Sequence, residues 1–170
     1  MKTVRLISGI LRYASRITAW GYLLTFLYAS ASLATGWCLH LTEQQQRFVI
    51  CYPFTVQPFL LGEYQSGYIL MFLLLLGLYA LFFFLVGNVF RVFTKIRLFT
   101  PFGVNQLRRF YVANLVLPLC AAMVVFPFYT LDSTVPILIT LHAILGIFTY
   151  FMAAIFRQGL ALQDEQDLII

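Results

Sequence analysis

Four apolar stretches, each about as long as a bilayer is thick, constrain this chain more than any other feature. They cover 17–36, 68–90, 110–129 and 136–156. An α-helix needs about 20 apolar residues to cross the hydrocarbon core, and each stretch meets that length. Composition agrees, with 62% of residues hydrophobic and 10% charged, against about 25% charged in a soluble domain. The expected fold is an all-α membrane protein, four transmembrane helices forming a bundle in a single domain of 170 residues. Its first partner is the lipid bilayer.

The segments between the stretches set their orientation. Ten of the eleven Lys and Arg residues fall on one side. They are Lys2, Arg5, Arg12 and Arg16 at the start, Arg91, Lys95, Arg97, Arg108 and Arg109 in the connector 91–109, and Arg157 in the tail 157–170. The other side carries Arg47. Lys and Arg mark cytoplasmic flanks, so both termini and the connector are expected inside, in the bacterial cytoplasmic (inner) membrane. The net charge of +5 belongs to these flanks and to the anionic headgroups they meet. Direct nucleic-acid binding is not expected.

Residues 1–16 place Val4, Ile7, Ile10 and Leu11 at helical spacing against Lys2, Arg5, Arg12 and Arg16. This reads either as a short interfacial helix or as a positively charged flank. The end of the first span, Tyr28 to Ala34, has the small residues of a signal-peptidase site. Its apolar core is longer than a signal h-region, so a retained helix is expected. Thr100 and Pro101 form a helix start, Thr as N-cap and Pro at the first helical position. Pro118 and Pro127 are expected to kink the third span.

The outer loop 37–67 carries few charges and a β-branched, aromatic run from Arg47 to Tyr52. One or two short strands, or a short β-hairpin, are expected to fold over the mouth of the bundle. Cys38 and Cys51 both lie in it. A disulfide between them suits an oxidising compartment, and two half-buried thiols are the alternative.

Few residues offer chemistry. His142 lies inside the fourth span, roughly 10 Å from its outer end by helix rise, and is either a ligand-binding group or interhelical glue. His40 lies in the loop, so a haem held between the two histidines is conceivable but not expected. Metal-ligand spacing is absent, and no cofactor is expected. Asn88, Asn105 and Asn114 line a polar crevice or make helix-packing hydrogen bonds. No paired carboxylates occur in a span, and no nucleophile has a base nearby. The chain is expected to be non-enzymatic.

The connector Phe99-Thr-Pro-Phe-Gly-Val-Asn-Gln-Leu-Arg-Arg109 and the tail Phe156-Arg-Gln-Gly-Leu-Ala-Leu-Gln-Asp-Glu-Gln-Asp-Leu168 resemble the domain of unknown function 2975 family of bacterial four-helix membrane proteins. Phe99, Thr100, Pro101, Val104, Leu107, Arg108 and Arg109 match its pattern in the connector. Phe156, Gly159, Leu162, Glu165, Asp167 and Leu168 match it in the tail. Phe102 and Gly103 stand where the family has an acid and an amide, and Ile169 where it has a threonine. The resemblance implies four inner-membrane helices and no established catalytic activity. It also implies a gene neighbour, a small helix-turn-helix DNA-binding protein, and so a membrane-bound partner for a cytoplasmic regulator.

Two functional expectations follow. In the first, the protein is a membrane-bound partner or sensor for a cytoplasmic regulator. Its contacts would be Arg97, Thr100, Pro101, Leu107, Arg108 and Arg109 of the connector, with Phe156, Arg157, Gly159, Asp164, Glu165, Asp167 and Leu168 of the tail. In the second, it is a carrier or binding protein for a lipid, quinone or other apolar ligand, with His142 as polar anchor, or an accessory subunit of a membrane complex. Self-association is compatible with either.

Overall fold

The computed structural model describes residues 2–42, 46–130 and 133–167, the last without the Asp167 side chain. Leu168 and the Asp167 side chain therefore lie outside the described residues. The element order is α1 (Lys2–Thr35), β1 (Leu39–Thr42), β2 (Arg47–Cys51), β3 (Pro58–Glu63), α2 (Ser66–Phe93), α3 (Pro101–Val125) and α4 (Thr134–Asp167). All four helices are long and apolar enough to cross a membrane.

Two helices outrun their apolar windows. The α1 and α4 helices have 34 residues each, about 50 Å at 1.5 Å per residue. No proline interrupts either one between Lys2 and Thr35 or between Ile137 and Asp167. The basic N-terminal segment is thus a direct extension of the first span and not a separate surface helix. Likewise Arg157 to Asp167, read from sequence as a tail, is the end of α4; Ala, Leu, Gln and Glu are good helix formers.

Thr100 caps α3 as expected. Its side chain accepts from the Gly103 amide at 3.1 Å, with Pro101 in the first turn. Pro118 stays inside the helix. Pro127 does not kink it, because α3 has already closed at Val125 with Phe126 as C-cap. A proline just past the cap cannot continue the helix.

The outer loop forms three strands, more than the one or two expected. The order is β1-β2-β3, all antiparallel, with Leu39 opposite Ile50 and Val49 opposite Leu61. Alternation along β2 puts Phe48 and Ile50 on one face. Both are buried against Ala29 of α1, with Tyr68, Ile69 and Phe72 of α2 packed around them. Pro58 opens β3, a position that does not ask a proline for a ladder hydrogen bond. The sheet thus closes one end of the α1–α2 pair.

A second cluster closes the other end. Val92, Leu107, Ala153 and Phe156 are buried together, bringing α2, α3 and α4 to one point below the connector. Between the two ends the close helix pairs are α1–α2, α2–α3 and α3–α4. No more than 17% of any apolar window is buried within the protein. Leu24, Met123, Ile144 and Phe148 are among the large apolar side chains left exposed. Surfaces this apolar suit a hydrocarbon solvent, which is as apolar as leucine.

Candidate functional site

The three-way packing of α2, α3 and α4 leaves a cleft. Its walls run from Met71 to Leu85 on α2, from Ala113 to Val125 on α3 and from Val135 to His142 on α4, around an interior volume of about 90 Å³. A water's share of liquid volume is about 30 Å³, so the cleft admits more than an ordered solvent molecule. It is partly open to its surroundings. Three side chains in the wall are polar: Tyr79, Asn114 and His142.

Two of these sit at similar depth. Counted from Val125 and from Thr134, at the end that carries the sheet, Asn114 and His142 lie roughly 16 Å and 12 Å along their helices. Asn114 is 3% exposed. Its Nδ2 donates to the Phe110 carbonyl at 2.8 Å, while its Oδ1 has no partner. The His142 Nδ1 lies 2.8 Å from the Leu138 carbonyl one turn back. Its ring stands edge-on to Tyr79 and Phe82, with centroids at 6.0 and 5.4 Å. The hydrogen bond on Nδ1 is therefore local to α4 and holds the ring facing α2.

The connector and α4 meet elsewhere, at the opposite end. Leu107 is 2% and Phe156 4% exposed, and Phe156 packs edge-on to Phe93 and Phe99 at 5.8 and 5.3 Å. Gly159 lies under the Phe99 ring, where a Cβ would come within 2.7 Å of it. Three residues named from sequence as partner contacts are thus core: Leu107, Phe156 and Gly159 hold the connector to α4. Thr100 is the helix cap. The residues left facing outward are Arg97, Pro101, Arg108, Arg109, Arg157, Asp164 and Glu165. Among the described residues no ion pair joins Asp164 or Glu165 to those arginines. The continuous helix carries the acids onward instead of folding them back. Phe102 carries Lys95 Nζ over its ring at 4.1 Å and Arg91 at 5.4 Å.

Cys38 and Cys51 are free thiols, and the expected bridge is not formed. They are neighbours, with the Cys51 amide donating to the Cys38 carbonyl at 3.0 Å. Cys38 has a φ of 55°, however, and that left-handed turn breaks the alternation that would bring both side chains to one face. Sequence reasoning missed another contact. Arg16, counted there among the flanking charges, donates to Asn88 Oδ1 at 3.0 Å and lies 4.4 Å over the Phe84 ring. It is an α1–α2 packing residue. Asn88 therefore makes a helix-packing hydrogen bond, Asn105 is exposed, and Asn114 alone of the three lines the cleft.

The family model described as Protein of unknown function (DUF2975) matches residues 10–170, nearly the whole chain. The chain belongs to this family. No curated protein and no solved structure matches it. In this DUF2975 protein the residues that carry the sequence resemblance divide in two. Phe99, Leu107, Phe156 and Gly159 build the core at the connector end, and Arg108, Arg109 and Glu165 face outward beside it.

Proposed function

We propose that this protein binds a small apolar molecule from the membrane in the α2–α3–α4 cleft and is non-enzymatic. One observation carries the reading: a partly open cleft with apolar walls holds three polar side chains, Tyr79, Asn114 and His142. Ligand sites of this kind pair apolar walls with a few placed polar groups. The orientation proposed with it has both termini and the connector in the cytoplasm of a bacterial cell, supported by the Lys and Arg asymmetry.

Filling the cleft tests the reading. Ala122→Phe puts a ring into space lined by Ala121, Ala122 and Val125. Protein released gently from membranes is weighed intact by native mass spectrometry. The wild type is expected to carry a small bound molecule that the variant lacks, at equal thermal stability. Identical spectra from two equally stable proteins would sink the proposal.

A second reading has its own observation. The α4 helix extends past the apolar window as an exposed rod bearing Arg157, Asp164 and Glu165, anchored at its base by Phe156 and Gly159. We infer from it a contact surface for a soluble cytoplasmic partner, for which the helix-turn-helix protein implied by the resemblance is the first candidate. Crosslinking in native membranes is expected to capture that partner on the full chain and not on a chain ended after Gly159. Equal recovery from both, or from neither, removes this reading and leaves the cleft as the sole proposal.

A further inference from the structure

The three-stranded sheet is charged at one end and aromatic at the other. At the charged end Arg47 lies opposite Thr42 and Glu63 across the ladder. From there the strands run to the turn between β2 and β3, and residues 48–62 hold no charged side chain. Residues 52–57 of that turn are all exposed, Phe54 by 93% and Val56 by 85%. The turn is nonetheless closed on itself. The Tyr52 amide donates to the Gln57 carbonyl at 2.9 Å, and the Thr55 amide to the Tyr52 carbonyl at 3.1 Å. Phe54 has a φ of 63°, a left-handed conformation that a bulky residue rarely adopts. A strained backbone thus holds a phenyl ring outward.

This tip lies at the level where the first span ends. The Phe54 ring stands edge-on to Trp37 at 5.8 Å, and Trp37 stands edge-on to Tyr28 at 5.9 Å. Tyr28 lies 6.2 Å from Phe59, which packs on Tyr52 at 4.6 Å. Trp37 follows the last residue of α1, Thr35, by two positions, while Tyr28 lies roughly 10 Å back inside the helix. The Tyr28 hydroxyl donates to the Cys51 carbonyl at 2.6 Å, which ties the aromatic end of β2 to the flank of α1. On that flank Leu24, one turn below Tyr28 on the same face, is 61% exposed. The aromatic tip and the apolar flank of α1 therefore form one continuous surface.

We propose that this tip docks into the bilayer interface at that end of the helices, with Phe54 and Val56 among the upper acyl chains. Three observations name lipid as the occupant. The tip extends a surface that α1 already presents to hydrocarbon. It sits at the depth where Trp and Tyr gather in membrane proteins, with an apolar ring and a wet polar atom. The sheet also changes polarity along its length as an interface does. Arg47 and Cys51 are roughly 13 Å apart along β2, enough to keep Arg47 and Glu63 in water while the turn reaches lipid. The sheet is then held by the membrane as well as by α1 and α2. This is independent of the cleft, which neither α1 nor the sheet lines.

A tryptophan placed in the tip reads its surroundings. Trp20 and Trp37 are the two native tryptophans. Replacing both with Phe leaves Phe54→Trp as the sole reporter, an aromatic ring exchanged for an aromatic ring. The full chain is reconstituted in vesicles of phosphatidylcholine and phosphatidylglycerol, plain or brominated on the acyl chain near the glycerol or near its middle. Bromine near the glycerol is expected to lower the emission about twofold or more, bromine at mid-chain less, and aqueous acrylamide little. Long-wavelength emission that acrylamide quenches and bromine leaves unchanged would put the tip in water and overturn the proposal. Shielding from acrylamide without a bromine effect, lost as the protein is diluted in lipid, would assign the tip to a second copy and overturn it equally. Val56→Trp in the same background repeats the reading at another position, and the native Trp37 in Trp20→Phe alone repeats it with the turn unaltered. A water-exposed reporter at either place overturns the proposal even where the Phe54 variant fails to fold.

Discussion

Phe156→Ala is expected to lower stability by about 3 kcal/mol, at the lower end of the range for emptying a buried phenylalanine site. The side chain is 4% exposed and is held between Phe93 and Phe99. Within the hydrocarbon core such a change loses packing but little hydrophobic free energy, because lipid replaces protein. Phe156 stands elsewhere. Counted from Thr134 it lies roughly 33 Å along α4, at or past the far edge of the apolar region. There the alternative solvent is water or headgroups, and the transfer term counts. The variant should also release α4 from the connector, since Gly159 and Phe99 depend on the same contact. Unfolding measured in mixed micelles against denaturing detergent checks the magnitude, with Phe156→Leu expected to cost less than about 1.5 kcal/mol. A loss below about 1 kcal/mol for the alanine variant would show that the site collapses freely or is not a core.

Gly67→Ala is the second large effect, and it acts at the opposite end. Gly67 begins α2 and is buried against the segment that follows α3. A Cβ there would run into the Phe128 carbonyl, a backbone group and not the mobile end of a side chain. The backbone of one segment must then move, and overpacking of this kind costs about 1–3 kcal/mol. The same protein supplies its own control. Gly9 and Gly21 of α1 have open space where an alanine methyl would stand, so alanine at either is expected to stabilise the helix by about 0.5–1 kcal/mol. The signs should be opposite when the three variants are compared under one set of conditions. A neutral Gly67→Ala would mean that the α2 start and the segment after α3 are not in close contact.

Some of this is open to a reader of the sequence. Thr100 and Pro101 announce the start of α3 through chemistry that is wholly local, a side-chain oxygen three residues before an orphan amide. The β-branched, aromatic run from Arg47 to Tyr52 marks a strand on equally local grounds. His142 stands out because an ionisable side chain in an apolar window is costly and therefore visible. Asn114 is visible as a polar residue, but its unpartnered oxygen is not. That depends on where Phe110 sits and on what faces the other side. The extent of α4 is hidden as well, because a change from apolar to charged residues looks like the end of a helix. It is only the end of the apolar window.

Length, local capping and composition are enough for the class of protein and the four helical windows, and the connector and tail motifs are enough for the family. Which apolar residues face protein and which face lipid emerges only when the helices pack. In water a helix shows its buried face by an apolar stripe. In a bilayer both faces are apolar, so the stripe disappears. Leu107, Phe156 and Gly159 therefore pass for a docking surface until the fold closes over them, and the cleft beside Asn114 has no signature until three helices surround it.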